Sequence, residues 1–184
     1  IYNTKKFTEV SWYQPKPEVS LNFIAQFDHP KDARIIDIGG GDSFLVDFLL
    51  QEEYTNITVL DISEKALNRA KDRLGGDKAL NVNRITADAG NIQLNEPYDI
   101  WHDRAAFHFL TNKKDIDDYL NTLEKLVKPG GNVILGTFSD KGPDKCSGIE
   151  IQQYSADEMS VLLSPAFELS GCENLDHTTP TGNI

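Results

Sequence analysis

Four aspartates and two histidines in this chain fall where side chains could do chemistry. Asp37, Asp61 and Asp103 close short apolar runs, and Asp88 stands just beyond a fourth such run. A row of carboxylates at strand ends suits a ligand rich in hydroxyl and amine donors. His102, Asp103, Arg104 and His108 add titratable or charged groups at the end of the run Tyr98–His102. A histidine near its ordinary pKa of about 6.5 can take a proton from a thiol, hydroxyl or amine close to neutral pH. Asp61 follows Gly41 by 20 residues, the offset at which a carboxylate can receive both hydroxyls of a ribose. Taken singly, each aspartate could equally be a helix cap; the four together favour a site. His108, between Phe107 and Phe109, reads equally well as a core imidazole. Arg104 has three readings: a clamp on a cofactor carboxylate, a clamp on an acidic acceptor, or a partner for Asp103.

The elements that must hold these groups alternate between strand and helix from residue 33 onward, the pattern of a mostly parallel sheet covered on both faces. Strands are expected at 33–38, 57–61, 82–86, 98–102 and 132–138, with a sixth at 167–170. Helices are expected at 43–52, after the cap Ser63 until Gly75-Gly76, at about 113–128, and from the capping box Ser155/Glu158 to about Pro165. Val19, Phe23, Ile24 and Phe27 predict a short amphipathic helix before the first strand. Because neighbouring strand residues point to opposite faces, His102 and Asp103 are not expected to serve the same ligand group.

Between the first strand and the first core helix stand Gly39, Gly40 and Gly41, where the backbone can turn sharply and a ligand can press against it. A dinucleotide fingerprint needs a third small residue, and here that place is held by Phe44; the lysine of a phosphate loop is also missing near the turn. The formal charge of −11 opposes a nucleic-acid partner. No apolar run reaches the roughly 20 residues of a membrane span. Cys146 and Cys172 are far apart and read as unpaired thiols, which together with the missing leader-like segment gives a cytoplasmic expectation. His102, Asp103 and His108 lack metal-site spacing, so no metal is expected.

Asp37, Gly39, Gly41 and Ser43 satisfy the pattern acid-x-Gly-x-Gly-x-small, which resembles motif I of the class I S-adenosylmethionine-dependent methyltransferases. The resemblance continues through Val59-Leu60-Asp61-Ile62-Ser63, Ala87-Asp88-Ala89 and Val127-Lys128-Pro129-Gly130-Gly131. Trp101-His102-Asp103-Arg104-Ala105-Ala106-Phe107-His108-Phe109-Leu110 is similar to a W-H-D-R-A-x-F-H-F-L motif of a small bacterial group within that family. The resemblance implies a Rossmann-like α/β fold, doubly wound, with its final strand missing here, in one methyltransferase domain over 1–184. Residues 1–30 would be a lid, 33–138 the cofactor core and 139–184 the acceptor side. It implies S-adenosylmethionine as cofactor. The turn at Gly39, Gly40 and Gly41 would meet its methionine part, Asp61 the ribose and Asp88 the adenine amine, with Ile62 and Ala89 beside the ring; Asp37 would be a further cofactor-binding residue. His102 would border the cofactor as well as the reaction; Asp103, Arg104 and His108 complete the catalytic candidates, and Trp12, Tyr13 and Phe107 would face the acceptor. The acceptor itself, a small molecule or a protein side chain, and the oligomeric state stay open. The competing expectations are an NAD-dependent oxidoreductase and a non-catalytic cofactor-binding module.

Overall fold

Strand β1 (Arg34–Ile38) is rich in isoleucine and almost wholly buried, as a strand covered on both faces must be. It lies at the centre of a five-stranded parallel sheet in the order β3-β2-β1-β4-β5, with β2 at Asn56–Asp61, β3 at Val82–Thr86, β4 at Tyr98–Arg104 and β5 at Val127–Gly136. The computed structural model describes residues 12–176. Strand order reverses between β1 and β4, and the crevice at the carboxyl ends of those two strands is where an open α/β sheet takes its ligand.

Alternation along the strands builds two cores. Ile35, Ile57, Val59 and Ile100 face one side, where they pack with α1 (Glu18–Gln26), α2 (Leu45–Gln51) and α3 (Glu64–Leu74) through Ile24, Leu45, Leu49 and Leu67. Ile36, Ile38, Leu60 and Trp101 face the other, against Tyr119, Leu123 and Leu126 of α5 (Lys113–Leu126) and against α6 (Ala156–Leu163). Each fully buried Ile or Leu contributes roughly 1.5–3 kcal/mol relative to exposure.

Local signals set the helix ends. Ser63 caps α3 by accepting from the Ala66 N–H, Asn112 caps α5 by accepting from Asp115, and Ser155 with Glu158 forms a complete capping box on α6. The five-residue helix α4 (Gly76–Leu80) follows Gly75 directly. The expected loop at Pro129-Gly130-Gly131 is instead carried inside β5, where the register with β4 shifts between Tyr98 and Ile100. Residues 167–170 are not a strand: Phe167 is half-buried against the α5 core, but the backbone there pairs with no neighbouring strand. Cys146 is buried in a small hairpin of β6 (Lys145–Cys146) and β7 (Ile149–Glu150). No described helix is long and apolar enough to cross a membrane.

Candidate functional site

The glycine turn leaves β1 with its main chain packed closely against neighbouring side chains. Gly39 adopts φ +72°, donates its N–H to Leu60 at 2.7 Å, and has Ala106 so near that an added Cβ would lie 2.8 Å from the Ala106 Cβ. A Cβ on Gly40 would overlap the Asp37 carboxylate, and one on Gly41 would stand 2.6 Å from Asp61 Oδ2 and 2.7 Å from the Ala66 Cβ. Phe44 begins the next helix with its ring 6.1 Å from Tyr13 and 4.4 Å from the Arg73 guanidinium. Arg73 in turn grips Asp47, and Arg69 grips Asp42, tying α3 to the turn.

Asp61 ends β2 with both oxygens engaged by the backbone: Gly41 N–H donates to Oδ2 at 3.0 Å and Ser63 N–H to Oδ1 at 2.7 Å. Burial raises its pKa, while those two bonds pull the other way. A carboxylate has about four lone-pair directions, so two acceptor positions remain on Asp61. Ile62 beside it is 66% exposed, a large apolar side chain held out of the core. Asp88 is exposed beyond β3, with Oδ1 accepting from the Gly90 N–H at 2.9 Å, and Ala89 is half-buried against the α5 core.

Asp37 and His102 are register partners across the β1–β4 crevice. His102 Nδ1 lies 2.7 Å from Asp37 Oδ1, and its Nε2 lies 2.9 Å from the Ser20 hydroxyl of α1. With Asp37 as acceptor, the ring donates through Nδ1–H; in a neutral ring Nε2 then accepts from the Ser20 hydroxyl. All three side chains are buried, and Asp37 Oδ2 is left without a hydrogen-bond partner. Arg104, two residues along β4, is half-buried and forms no ion pair among the described residues; its nearest polar contact is the Trp12 carbonyl at 3.5 Å. Burial lowers the Arg104 pKa, and the charge of Asp37 pushes it back up.

Asp103 points to the opposite face. It is fully buried, accepts from the Tyr119 hydroxyl at 2.6 Å and from the N–H groups of Ala106 and Phe107, and Tyr119 accepts in turn from the Trp101 indole at 2.9 Å. Burial raises the Asp103 pKa to about 6 against the pull of these bonds. The bonds fix the tight turn after β4, in which Ala105 takes φ +75°. Phe107 is fully buried in the core, 4.8 Å from the Tyr119 ring and stacked at 5.5 Å on Tyr154. His108 is also fully buried, with neither ring nitrogen hydrogen-bonded and with Phe109 and Phe138 at 4.4 and 5.1 Å. Burial lowers its pKa to about 4.

The groups expected together at the end of β4 therefore occupy separate places: His102 with Asp37 in the crevice, Arg104 by Trp12, Asp103 and Phe107 on the α5 side, and His108 between Phe109 and Phe138. Trp12 and Tyr13 do lie beside the crevice, through Arg104 and Phe44. Ser20 and Tyr119 were not singled out by the sequence pattern. A serine four residues before Ile24, on the apolar face of α1, was the available signal for the first. Among the described residues no group of three His, Cys, Asp or Glu is placed to hold a metal ion.

A family model described as a methyltransferase domain matches residues 36–133, more than half of the chain. The chain belongs to the methyltransferase domain family. Malonyl-[acyl-carrier protein] O-methyltransferase 2 of Ilyobacter polytropus is 32% identical over 105 residues, which cover 56% of this chain and 39% of that protein. The corresponding enzyme 1 of the same organism is 28% identical over 112 residues, 60% of this chain and 40% of that one. The methyltransferase domain thus spans about two fifths of the length of these relatives. In fold it resembles the glycopeptide N-methyltransferase MtfA complexed with S-adenosyl-L-methionine, at TM-score 0.67 and 13% identity over 85% of each chain. It also resembles the 1,6-didemethyltoxoflavin-N1-methyltransferase of Burkholderia thailandensis, at TM-score 0.65 and 18% identity over 82% of this chain and 65% of that one. The Rossmann-like methyltransferase fold is thereby established.

Proposed function

We propose that this domain transfers a methyl group from S-adenosylmethionine to a small-molecule or protein acceptor. The observation that carries the reading is the pair of buried carboxylates, Asp37 and Asp61, packed directly on a glycine turn whose missing Cβ atoms leave the room they occupy. The residues present fit this cofactor. Asp37 Oδ2 is a buried acceptor without a donor, as an ammonium group would require, and Asp61 retains acceptor capacity for ribose hydroxyls. Asp88 would receive the adenine amine, and exposed Ile62 with Ala89 would flank the ring. The O-methyltransferase relatives of Ilyobacter polytropus support the same reading.

When bound, the cofactor supplies an electrophilic methyl group on a sulfonium centre. The acceptor atom forms a bond to that carbon as the carbon–sulfur bond breaks and its electron pair stays on sulfur, an in-line displacement that depends on alignment. The turn and the two carboxylates hold and orient. His102 and Asp103 are positioning groups in this reading, since each is saturated by its own partners. Arg104 and Trp12 form the rim facing the acceptor. Phe44, held between Tyr13 and Arg73, fills the place where a dinucleotide site needs a small residue and so opposes the oxidoreductase reading.

Calorimetry with S-adenosylmethionine and S-adenosylhomocysteine tests the proposal. Binding in the micromolar range that Asp61→Ala weakens by about tenfold or more is the expected result. Absence of binding at high micromolar concentration, or an Asp61→Ala variant that binds as well as wild type, overturns it. Binding without methyl transfer from labelled cofactor to any lysate fraction would identify a binding module instead.

A further inference from the structure

The chain Ser20–His102–Asp37 joins three elements that are distant in sequence: α1, β4 and β1. Its members are 2–4% exposed, so the network sits in low dielectric, where a hydrogen bond is strong and a missing one is costly. The chain is complete at every position but one. Ser20 satisfies Nε2 of His102, His102 satisfies Asp37 Oδ1, and Asp37 Oδ2 ends the chain with no donor. The segment that carries Ser20 is also tied across the crevice at two further points, the Trp12 carbonyl to Arg104 and the Tyr13 ring to Phe44.

Resting on the cofactor reading above, we propose that Ser20 is a positioning residue of the methyl-donor site: through His102 it fixes the Asp37 carboxylate so that its unpaired oxygen is held for the cofactor's α-ammonium group, which couples seating of α1 to cofactor binding. Without Ser20 the imidazole can rotate or exchange its ring proton between nitrogens, and the Asp37 carboxylate loses its fixed direction. The coupling is reciprocal: a ligand amine that orders Asp37 also orders His102 and the helix that holds it. A serine that merely filled space in α1 would have no such selectivity for one group of the ligand.

The test compares two thioethers by calorimetry, S-adenosylhomocysteine and the same molecule with hydrogen in place of its α-amino group. Ser20→Ala is expected to weaken the first about tenfold and the second less than twofold, and Ser20→Thr, which keeps the hydroxyl, to restore wild-type affinity. Hydrogen exchange supplies a readout independent of affinity: saturating S-adenosylhomocysteine protects residues 18–26 in wild type, and that protection is lost in Ser20→Ala. Equal weakening of both thioethers, no weakening of either, or a Thr variant as impaired as the Ala variant overturns the relay while leaving the cofactor reading intact. A wild-type protein that binds neither thioether overturns the cofactor reading and this proposal together.

Discussion

Two buried polar networks hang from adjacent residues of one strand, and they are finished differently. On the α1 face, His102 links Ser20 to an Asp37 that keeps an oxygen unpaired; on the α5 face, Asp103 gathers three donors, and its tyrosine partner is itself bonded to Trp101. An unpaired buried acceptor costs stability, about 1–3 kcal/mol, and is retained where a ligand supplies the donor. A closed network specifies shape. The contrast teaches that burial and charge alone do not mark a working group, since Asp103 is the more deeply buried of the two aspartates.

The sharpest attack on this contrast is Asp103→Ala, which strands the Tyr119 hydroxyl and the N–H groups of Ala106 and Phe107. A loss of about 3–5 kcal/mol in urea unfolding is expected. A loss below about 1 kcal/mol would mean that the network is no more structural than its neighbour.

His108 extends the comparison through pH. Its folded pKa of about 4 lies below the unfolded value near 6.5, so the unfolded chain binds the extra proton and stability falls as pH drops through that window. Asp103, raised to about 6, has the opposite sign and loses stability as pH rises from about 4 to 6. Replacing His108 by Gln removes one term. The stability of the variant relative to wild type should rise by up to about 3 kcal/mol between pH 7 and pH 4, measured by denaturant titration at each pH.

On the open network, Asp37→Asn keeps the shape and removes the charge. S-adenosylhomocysteine affinity should fall about tenfold, or about 1.4 kcal/mol, with a smaller change in melting midpoint than Asp103→Ala produces. The reverse ranking would exchange the roles of the two aspartates. At the small end, Lys114 pairs with Asp118 on the solvent face of α5, and Lys114→Ala should leave both affinity and melting midpoint within error, as exposed pairs usually do.

What could be read in advance follows the range of the forces involved. Ser63, Ser155 with Glu158, and the glycine turn act within a few residues, and the helices and strands they bound were anticipated to within a few positions. The hairpin around Ser147-Gly148 uses only two residues per strand, too few for an alternating pattern to register. The segment at 167–170 has the apolar content of a strand, yet among the described residues no strand pairs with it. The strand-end positions of Asp37, Asp61 and Asp88 were legible because strand ends are local, whereas the Tyr119 bond that engages Asp103 on the opposite face shows only in the assembled sheet. The partners of His102 were not legible either: Ser20 meets His102 across 82 residues and Asp37 meets it across 65, contacts that exist only once the sheet is assembled.

The 2.8 Å approach between a would-be Cβ at Gly39 and the methyl of Ala106 has a consequence for engineering the domain. Gly39, on the cofactor side of the proposed site, and Ala106, in the turn after β4, are cut to the same template, so redesign of either alone will jam against its counterpart. Libraries aimed at new acceptors should therefore leave residues 39 and 106 as a matched set and place their diversity at Trp12, Tyr13 and Arg104, the residues proposed above to face the acceptor.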